Sequence, residues 1–244
     1  MNIFLLIISI IALFILLYTI HHCFSCPVTM LKKNNKKVHS SPVFVFDLHG
    51  VILNRKYGGI LKYILKHAYR LDVALLLFKP SFIKDIVALL KKSRVPEEFI
   101  IELSQKHSKL VPFIDVTIAM MNEQKPVKGT IDCIKKLKEH GYKVYLFSNI
   151  GEKTFEQLEK KFPVLFSYFN GIVVVQQHDN WIQKPSAASF QKFLKQSHLQ
   201  AEQCVFIDNS TKNVTTAFYE GFHPILFRSP AQLMHELVHL NILR

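Results

Sequence analysis

This chain of 244 residues is poor in cysteine, with four, and poor in acid, with 18 Asp and Glu against 31 Lys and Arg. So few thiols argue against a disulfide framework and suit a reducing compartment. Cys133 and Cys204 sit inside apolar periodic stretches, the ordinary place for a buried, reduced thiol. Cys23 and Cys26 in HHCFSC, beside His21 and His22, are spaced as metal ligands can be. A single CxxC with no second pair is weak ground for zinc, however, and juxtamembrane thiols open to lipidation are the plainer reading. The acid deficit leaves a formal charge of +13, split as +3 over residues 1–54, +7 over 55–128 and +3 over 129–244. A basic middle third attracts anions of any kind, from phosphorylated metabolites to lipid headgroups. No zinc-finger, RNP-type or basic-zipper pattern accompanies it, so nucleic acid is not an expected partner. Apolar residues make up 49% of the chain, enough for one domain with a real core rather than a disordered polymer.

The run from Ile3 to Ile20, IFLLIISIIALFILLYTI, contains no charge. As a helix it spans about 27 Å, enough to cross a bilayer. No Lys or Arg precedes it and no small-x-small cleavage site follows it, which favours an uncleaved anchor over a signal peptide. The flank LKKNNKK brings Lys32, Lys33, Lys36 and Lys37 together, and such clusters stay on the cytoplasmic side. The expectation is a single-pass membrane protein: a transmembrane anchor over 1–22, a basic linker over 23–41, and a folded domain facing the cytoplasm.

Beyond Ser40, short β-branched and aromatic runs alternate with amphipathic stretches. Strands are predicted at Val43 to Phe46, Lys143 to Phe147, Gly171 to Val175, Cys204 to Ile207 and Pro224 to Phe227. Their near-continuous apolar character suits a parallel sheet covered on both faces. Helices are predicted at Thr130 to His140, Glu152 to Lys161, Ser186 to Gln196, Thr211 to Glu220 and Ala231 to His239, with Gly141 and Gly221 as stops. The alternation predicts an α/β fold with a doubly wound parallel sheet, built from 42–55 and 125–244. Residues 56–124 show helical patterns and no good strand, and read as an inserted helical domain. Insertions at the carboxyl ends of parallel strands are where ligands bind. Lys62, Lys66, Lys84, Lys91 and Lys92 of this insert serve equally well as substrate attraction or as the wet faces of amphipathic helices.

Four polar positions follow strand ends in turn: Asp47 after FVF, Ser148 after VYLF, Lys184 beyond GIVVV, and Asp208 after CVFI. A parallel sheet would bring all four to one edge. Each alone is unremarkable as a turn, cap or loop residue. Together, DLHGVI, LFSN, QKPSAASF and FIDNSTKNV resemble, in order and spacing, the four motifs of the haloacid dehalogenase-like (HAD) superfamily, over roughly residues 42 to 235. The resemblance is closest to its small phosphatases and dehalogenase-like hydrolases, and the insert then matches their all-helical cap.

The resemblance implies roles. Asp47 would be the nucleophile that forms an aspartyl-phosphate, splitting one hard displacement into two easier ones. Ser148 and Asn149 would hold phosphoryl oxygens, and Lys184 would neutralise charge on nucleophile and phosphoryl group. Asp47, Asp208 and the backbone carbonyl of His49 would bind Mg²⁺, with Asn209 in its outer shell. Asn213 would fix the loop at the start of the last motif's helix.

Two positions depart from the family pattern. His49 stands where phosphatases of this kind have the aspartate that acts as general acid and base. An imidazole titrating near pH 6.5 can fill that role, but it is bulkier and its cation is disfavoured beside Mg²⁺. Asn209 stands where many relatives carry a second acid, which should weaken the metal. The primary reading is a membrane-anchored, Mg-dependent phosphatase of a small phosphorylated substrate. The alternatives are an impaired relative that binds a phosphorylated ligand or protein without turnover, and a metal-free dehalogenase in which aspartate attacks carbon. Trp181 reads as packing under the lysine loop, and His178 and Asp179 as solvated turn residues.

Overall fold

The computed structural model describes residues 41–54, 79–91, 102–108, 124–176 and 182–243. The predicted span over 1–22, the linker through Ser40 with Cys23 and Cys26, most of the insert, and His178, Asp179 and Trp181 lie outside them. Among the described residues no helix is long and apolar enough to cross a membrane.

In chain order the elements are β1 (Val43–Phe46), β2 (Leu53–Asn54), α1 (Pro80–Lys91), β3 (Lys125–Pro126), α2 (Lys128–Glu139) and β4 (Lys143–Gly151). They continue with α3 (Glu152–Lys161), α4 (Pro163–Phe166), β5 (Gly171–Val175), α5 (Ala187–Ser197), β6 (Cys204–Asp208), α6 (Thr211–Tyr219), β7 (His223–Leu226) and α7 (Pro230–His239). Five strands form one parallel sheet in the order β5-β4-β1-β6-β7. From the central β1 the chain builds outward through β4 to β5, then crosses to β6 and β7 on the other side. Such a reversal opens a crevice at the carboxyl ends of the middle strands.

The strands are apolar on both faces because both faces are covered. Phe44, Phe46, Val144, Leu146, Val205 and Ile207 point into one core, while Val45, Phe147, Cys204 and Phe206 point into the other. The first core is closed by α2, whose buried Thr130, Cys133, Ile134 and Leu137 follow the spacing of one helical face. Leu233 and Leu237 of α7 join the same core. The second core is a cluster of phenylalanines. Phe147, Phe190, Phe206 and Phe222 meet mostly edge to face, and Phe147 stacks on Phe193 with ring centroids 5.0 Å apart. Each such pair adds about 0.5–1.5 kcal/mol beyond its burial, so this face is a stiff floor. Cys133 and Cys204 are free and buried, and burial pushes their thiols up to about 11 and about 12, which makes them inert.

α2 and α6 are followed by Gly141 and Gly221 at φ +81° and +90°, the left-handed stops that the sequence predicts. No local signal marks the antiparallel ribbon of β2 and β3, which pairs Leu53 with Pro126 and Asn54 with Lys125. Strands of two residues have no periodicity to read. Through this ribbon the chain leaves the core for the insert and returns beside its point of departure. Within the insert, Asp85 on α1 holds His107 Nε2 at 2.9 Å and Lys106 Nζ at 3.3 Å, and these contacts, the histidine's first, keep its carboxyl below the usual carboxylate range.

Candidate functional site

The site follows from strand register. β1 and β6 pair Phe46 with Ile207, and the ladder runs one step further, the Asp47 N–H donating to the Ile207 carbonyl at 2.9 Å. Asp47 and Asp208 therefore emerge side by side at the carboxyl edge. Lys184, in the loop between β5 and α5, reaches between them. Its Nζ donates to Asp47 Oδ1 at 2.9 Å, Asp208 Oδ2 at 2.8 Å and the Phe147 carbonyl at 2.7 Å, which uses all three ammonium protons. The same Nζ lies 4.9 Å from the Phe147 ring centroid and 5.2 Å from that of Phe206, so the aromatic floor holds the cation from below.

The three charges are not equally accessible. The side chain of Asp47 keeps 12% of its surface exposed, against 1% for Lys184 and 0% for Asp208. Asp47 is the carboxylate that an incoming ligand reaches. Burial works to discharge the lysine, but the carboxylates of Asp208 and Asp47 together outweigh it, and the ammonium is held above its ordinary value of 10.5. Burial raises Asp208 above the usual carboxylate range, Lys184 pulls it back down, and the neighbouring Asp47 adds to the rise. Two carboxylates and one ammonium leave the cluster with one net negative charge, an arrangement that favours an added cation.

A fault in the sheet places the next residues. β4 and β5 pair regularly up to Phe147 with Val173, then resume only at Gly151 with Val175. Three residues of β4, Ser148 to Ile150, thus oppose a single residue of β5, a bulge at the strand end. It carries both polar residues of the second motif to the edge. Ser148 is buried at 2% exposure. Asn149 is turned to the lysine loop, its Nδ2 donating to the Lys184 carbonyl at 2.7 Å and its Oδ1 accepting the Lys184 N–H at 2.8 Å. The family resemblance implies a phosphate-binding Asn149; its side chain is instead bonded to the backbone of Lys184.

Asp208 is fixed by the start of α6. It accepts from the Ser210 N–H at 2.7 Å through Oδ1 and from Asn213 Nδ2 at 2.8 Å through Oδ2, while Ser210 Oγ caps the helix by accepting from the Asn213 N–H at 3.5 Å. Asn213 thus fixes the loop by bonding the carboxylate itself. Serine, two residues beyond an aspartate and just before a helix, is a capping signal that sequence reading could have used.

After Asp47 the chain turns sharply. The Ile52 and Leu53 N–H groups both donate to the Leu48 carbonyl at 2.9 Å, and the Gly50 N–H donates to the Leu53 carbonyl at 2.8 Å. His49 is half-buried in this turn, two residues from Asp47. Gly50 adopts φ +83°, and a Cβ there would collide with the side-chain amide of Asn209. The exposed Asn209 therefore lies over the turn that presents His49, so the two departures from the family pattern are neighbours.

A metal ion here would meet hard oxygen donors. Among the described residues no group of three or more His, Cys, Asp or Glu is arranged for a metal. Two carboxylates, from Asp47 and Asp208, with main-chain and water oxygens completing the shell, suit Mg²⁺, which keeps several waters and takes one or two carboxylates. A cavity of about 400 Å³ at the outer strand, lined by Tyr145, Gly171, Val173 and Gln176 among others, contains none of these residues and is set apart from the chemistry.

A model of the haloacid dehalogenase-like hydrolase family matches residues 42–218. A curated relative from Bacillus subtilis, named "Probable phosphatase YqeG", is 26% identical over 148 residues, covering 57% of this chain and 79% of its own. Among solved structures, an enzyme of the same broad family from Bacteroides thetaiotaomicron superposes with a TM-score of 0.60 at 19% identity, over 82% of this chain and 99% of its own. In its complex with magnesium and inorganic phosphate that enzyme superposes at 0.56 and 20% identity, over 78% and 95%. A protein from Porphyromonas gingivalis, described as a predicted HAD-like family hydrolase, superposes at 0.58 and 21% identity, over 84% and 100%. The solved structures establish the likeness of fold.

Proposed function

The chain belongs to the haloacid dehalogenase-like hydrolases, and from that premise we propose that it is a Mg²⁺-dependent phosphatase of small phosphorylated substrates, with Asp47 as nucleophile. The observation that carries this reading is the Lys184 bridge between Asp47 and Asp208, with Asp47 alone of the three open to solvent. The relative from Bacillus subtilis bears a phosphatase name, and the Bacteroides enzyme was solved with magnesium and phosphate.

Asp47 attacks phosphorus through a carboxylate oxygen, the bond to the leaving oxygen breaks, and the His49 imidazolium gives that oxygen its proton. Neutral His49 then takes a proton from water, whose oxygen displaces the Asp47 carboxylate and releases inorganic phosphate. Lys184, already fixed and dry, stabilises the charge that gathers on the transferring oxygens without reorganising. Ser148 and the main-chain N–H groups around it contribute donors to the same oxygens. Mg²⁺, held by Asp47, Asp208 and the carbonyl of residue 49, supplies Lewis-acid stabilisation when bound.

The apolar N-terminal run, with its lysine flank, tethers the domain to a membrane with the site on the cytoplasmic side; this part of the proposal rests on sequence alone. Residues 56–124 form the cap that chooses the substrate.

The test is phosphate release from an aryl phosphate in Mg²⁺ by the full chain. Asp47→Asn abolishes it, and His49→Asp lowers it if the imidazole is the working acid. No release by the wild type, with release created by His49→Asp, would instead identify a ligand-binding relative that has lost turnover. Halide release without metal would transfer the assignment to dehalogenase chemistry. Sedimentation of the full chain with membranes, lost on deleting residues 1–22, tests the tether.

A further inference from the structure

The helix α7 carries two imidazoles one turn apart, outside the hydrolase site. Residues 235–239 read His-Glu-Leu-Val-His, and they lie wholly within α7. Leu233 and Leu237 are the buried side chains of that helix. At about 100° per residue, His235 and His239 fall roughly 200° around the helix from them, on the outer face. Both histidines are exposed, and their rings stand parallel at an interplanar angle of 5° with centroids 6.5 Å apart.

We propose that His235 and His239 form a two-imidazole site for a borderline divalent transition-metal ion, with Zn²⁺ the probe of choice. Spacing of four residues puts two imidazoles on one helix face, and exposed rotamers are free to close until both nitrogens reach one ion at about 2.0–2.1 Å. Imidazole selects zinc, copper and nickel, whereas the oxygen-only donors at Asp47 and Asp208 select magnesium, so the two sites do not compete for one ion.

The pattern His-Glu-x-x-His on a helix also belongs to zinc hydrolases, which need a third protein ligand and a glutamate aimed at the metal-bound water. Among the described residues no third His, Cys, Asp or Glu completes such a group. Glu236 instead acts electrostatically on His223 of β7. The site on α7 is therefore a binding site with water in its remaining positions, not a second hydrolytic centre. An ion bridging one turn at the end of α7 also stiffens the helix that covers the first core.

The experiment titrates Zn²⁺ into the full chain and into His235→Asn/His239→Asn. Because HHCFSC near the N-terminus offers other donors, the reading is the difference between the two proteins. One equivalent of zinc is lost in the double variant, each single variant binds at least about tenfold more weakly, and Glu236→Gln binds normally. Cu²⁺ gives an electron paramagnetic resonance spectrum with coupling to two nitrogens that the double variant lacks. At zinc a hundredfold above the dissociation constant, Tm rises by about 5–10 °C in the wild type only. Equal stoichiometry and equal copper spectra in wild type and double variant would overturn the proposal, as would absence of zinc binding by the wild type at millimolar concentration. Mg²⁺-dependent phosphate release is the same in both proteins, which separates this result from the assignment of Asp47.

Discussion

Asn149 grips Lys184 by both of its main-chain polar groups, giving to the carbonyl at 2.7 Å and taking from the N–H at 2.8 Å. The lysine that bridges the two aspartates is thus placed by a residue from a different strand. Asn149→Ala leaves both groups without this partner and should cost about 1–3 kcal/mol in urea unfolding. If the role is positioning, kcat falls more than KM rises, because the binding groups stay while the ammonium drifts. A pure phosphate ligand would show the reverse split.

Lys184→Met would remove the cation that bridges Asp47 and Asp208. Breaking a buried ion pair on one side costs about 3–5 kcal/mol at pH 7. The deficit should shrink as pH falls, because burial already holds Asp208 above the usual carboxylate range and its protonation relieves the repulsion. In the wild type the direction is the same but the pH window is different. The folded-state value of Lys184 lies above 10.5, so its contribution is complete below that pH and is lost only as the solution becomes strongly alkaline. Urea melts of both proteins at pH 5, 7 and 8 check this.

Gly50 meets two separate obstacles to a side chain, its φ of +83° and the amide of Asn209. Gly50→Ala should cost at least about 1–2 kcal/mol from the backbone alone. Adding Asn209→Ala relieves the collision but not the backbone strain, so the double variant recovers part of the loss, and a double-mutant cycle yields a coupling of about 0.5 kcal/mol or more. Strictly additive losses would separate the two residues.

His223 on β7 is held below its ordinary value of 6.5, chiefly by burial, with Glu236 opposing more weakly. A histidine lowered in the folded state favours folding above pH 6.5 and loses that contribution as pH falls, since the unfolded chain then binds more protons. The wild type should therefore lose stability between pH 7 and pH 5, and His223→Gln should flatten that slope. Urea midpoints at the two pH values decide it.

Much of the core was legible because its signals are local. β1 at Val43–Phe46, β5 at Gly171–Val175 and α3 at Glu152–Lys161 fall where apolar runs and helical spacing put them. The order of the four motifs indicated which strand ends bear charge. Two-residue strands such as β2 and β3 were invisible, and β4 ran on to Gly151 where a strand ending at Phe147 was predicted.

The sequence by itself determined a buried parallel α/β sheet and an acid, a hydroxyl, an amine and a second acid at successive strand ends. Periodicity and strand-end position are properties of neighbours along the chain. Only the tertiary structure decided that Asn149 serves Lys184, that the Phe147 carbonyl completes the ammonium's bonds, and that Asn209 covers Gly50. Those contacts depend on strand register and on a bulge opposite Val174, where residues 35 to 159 positions apart in the chain meet. No local pattern encodes such distances, because the packing of the whole sheet sets them.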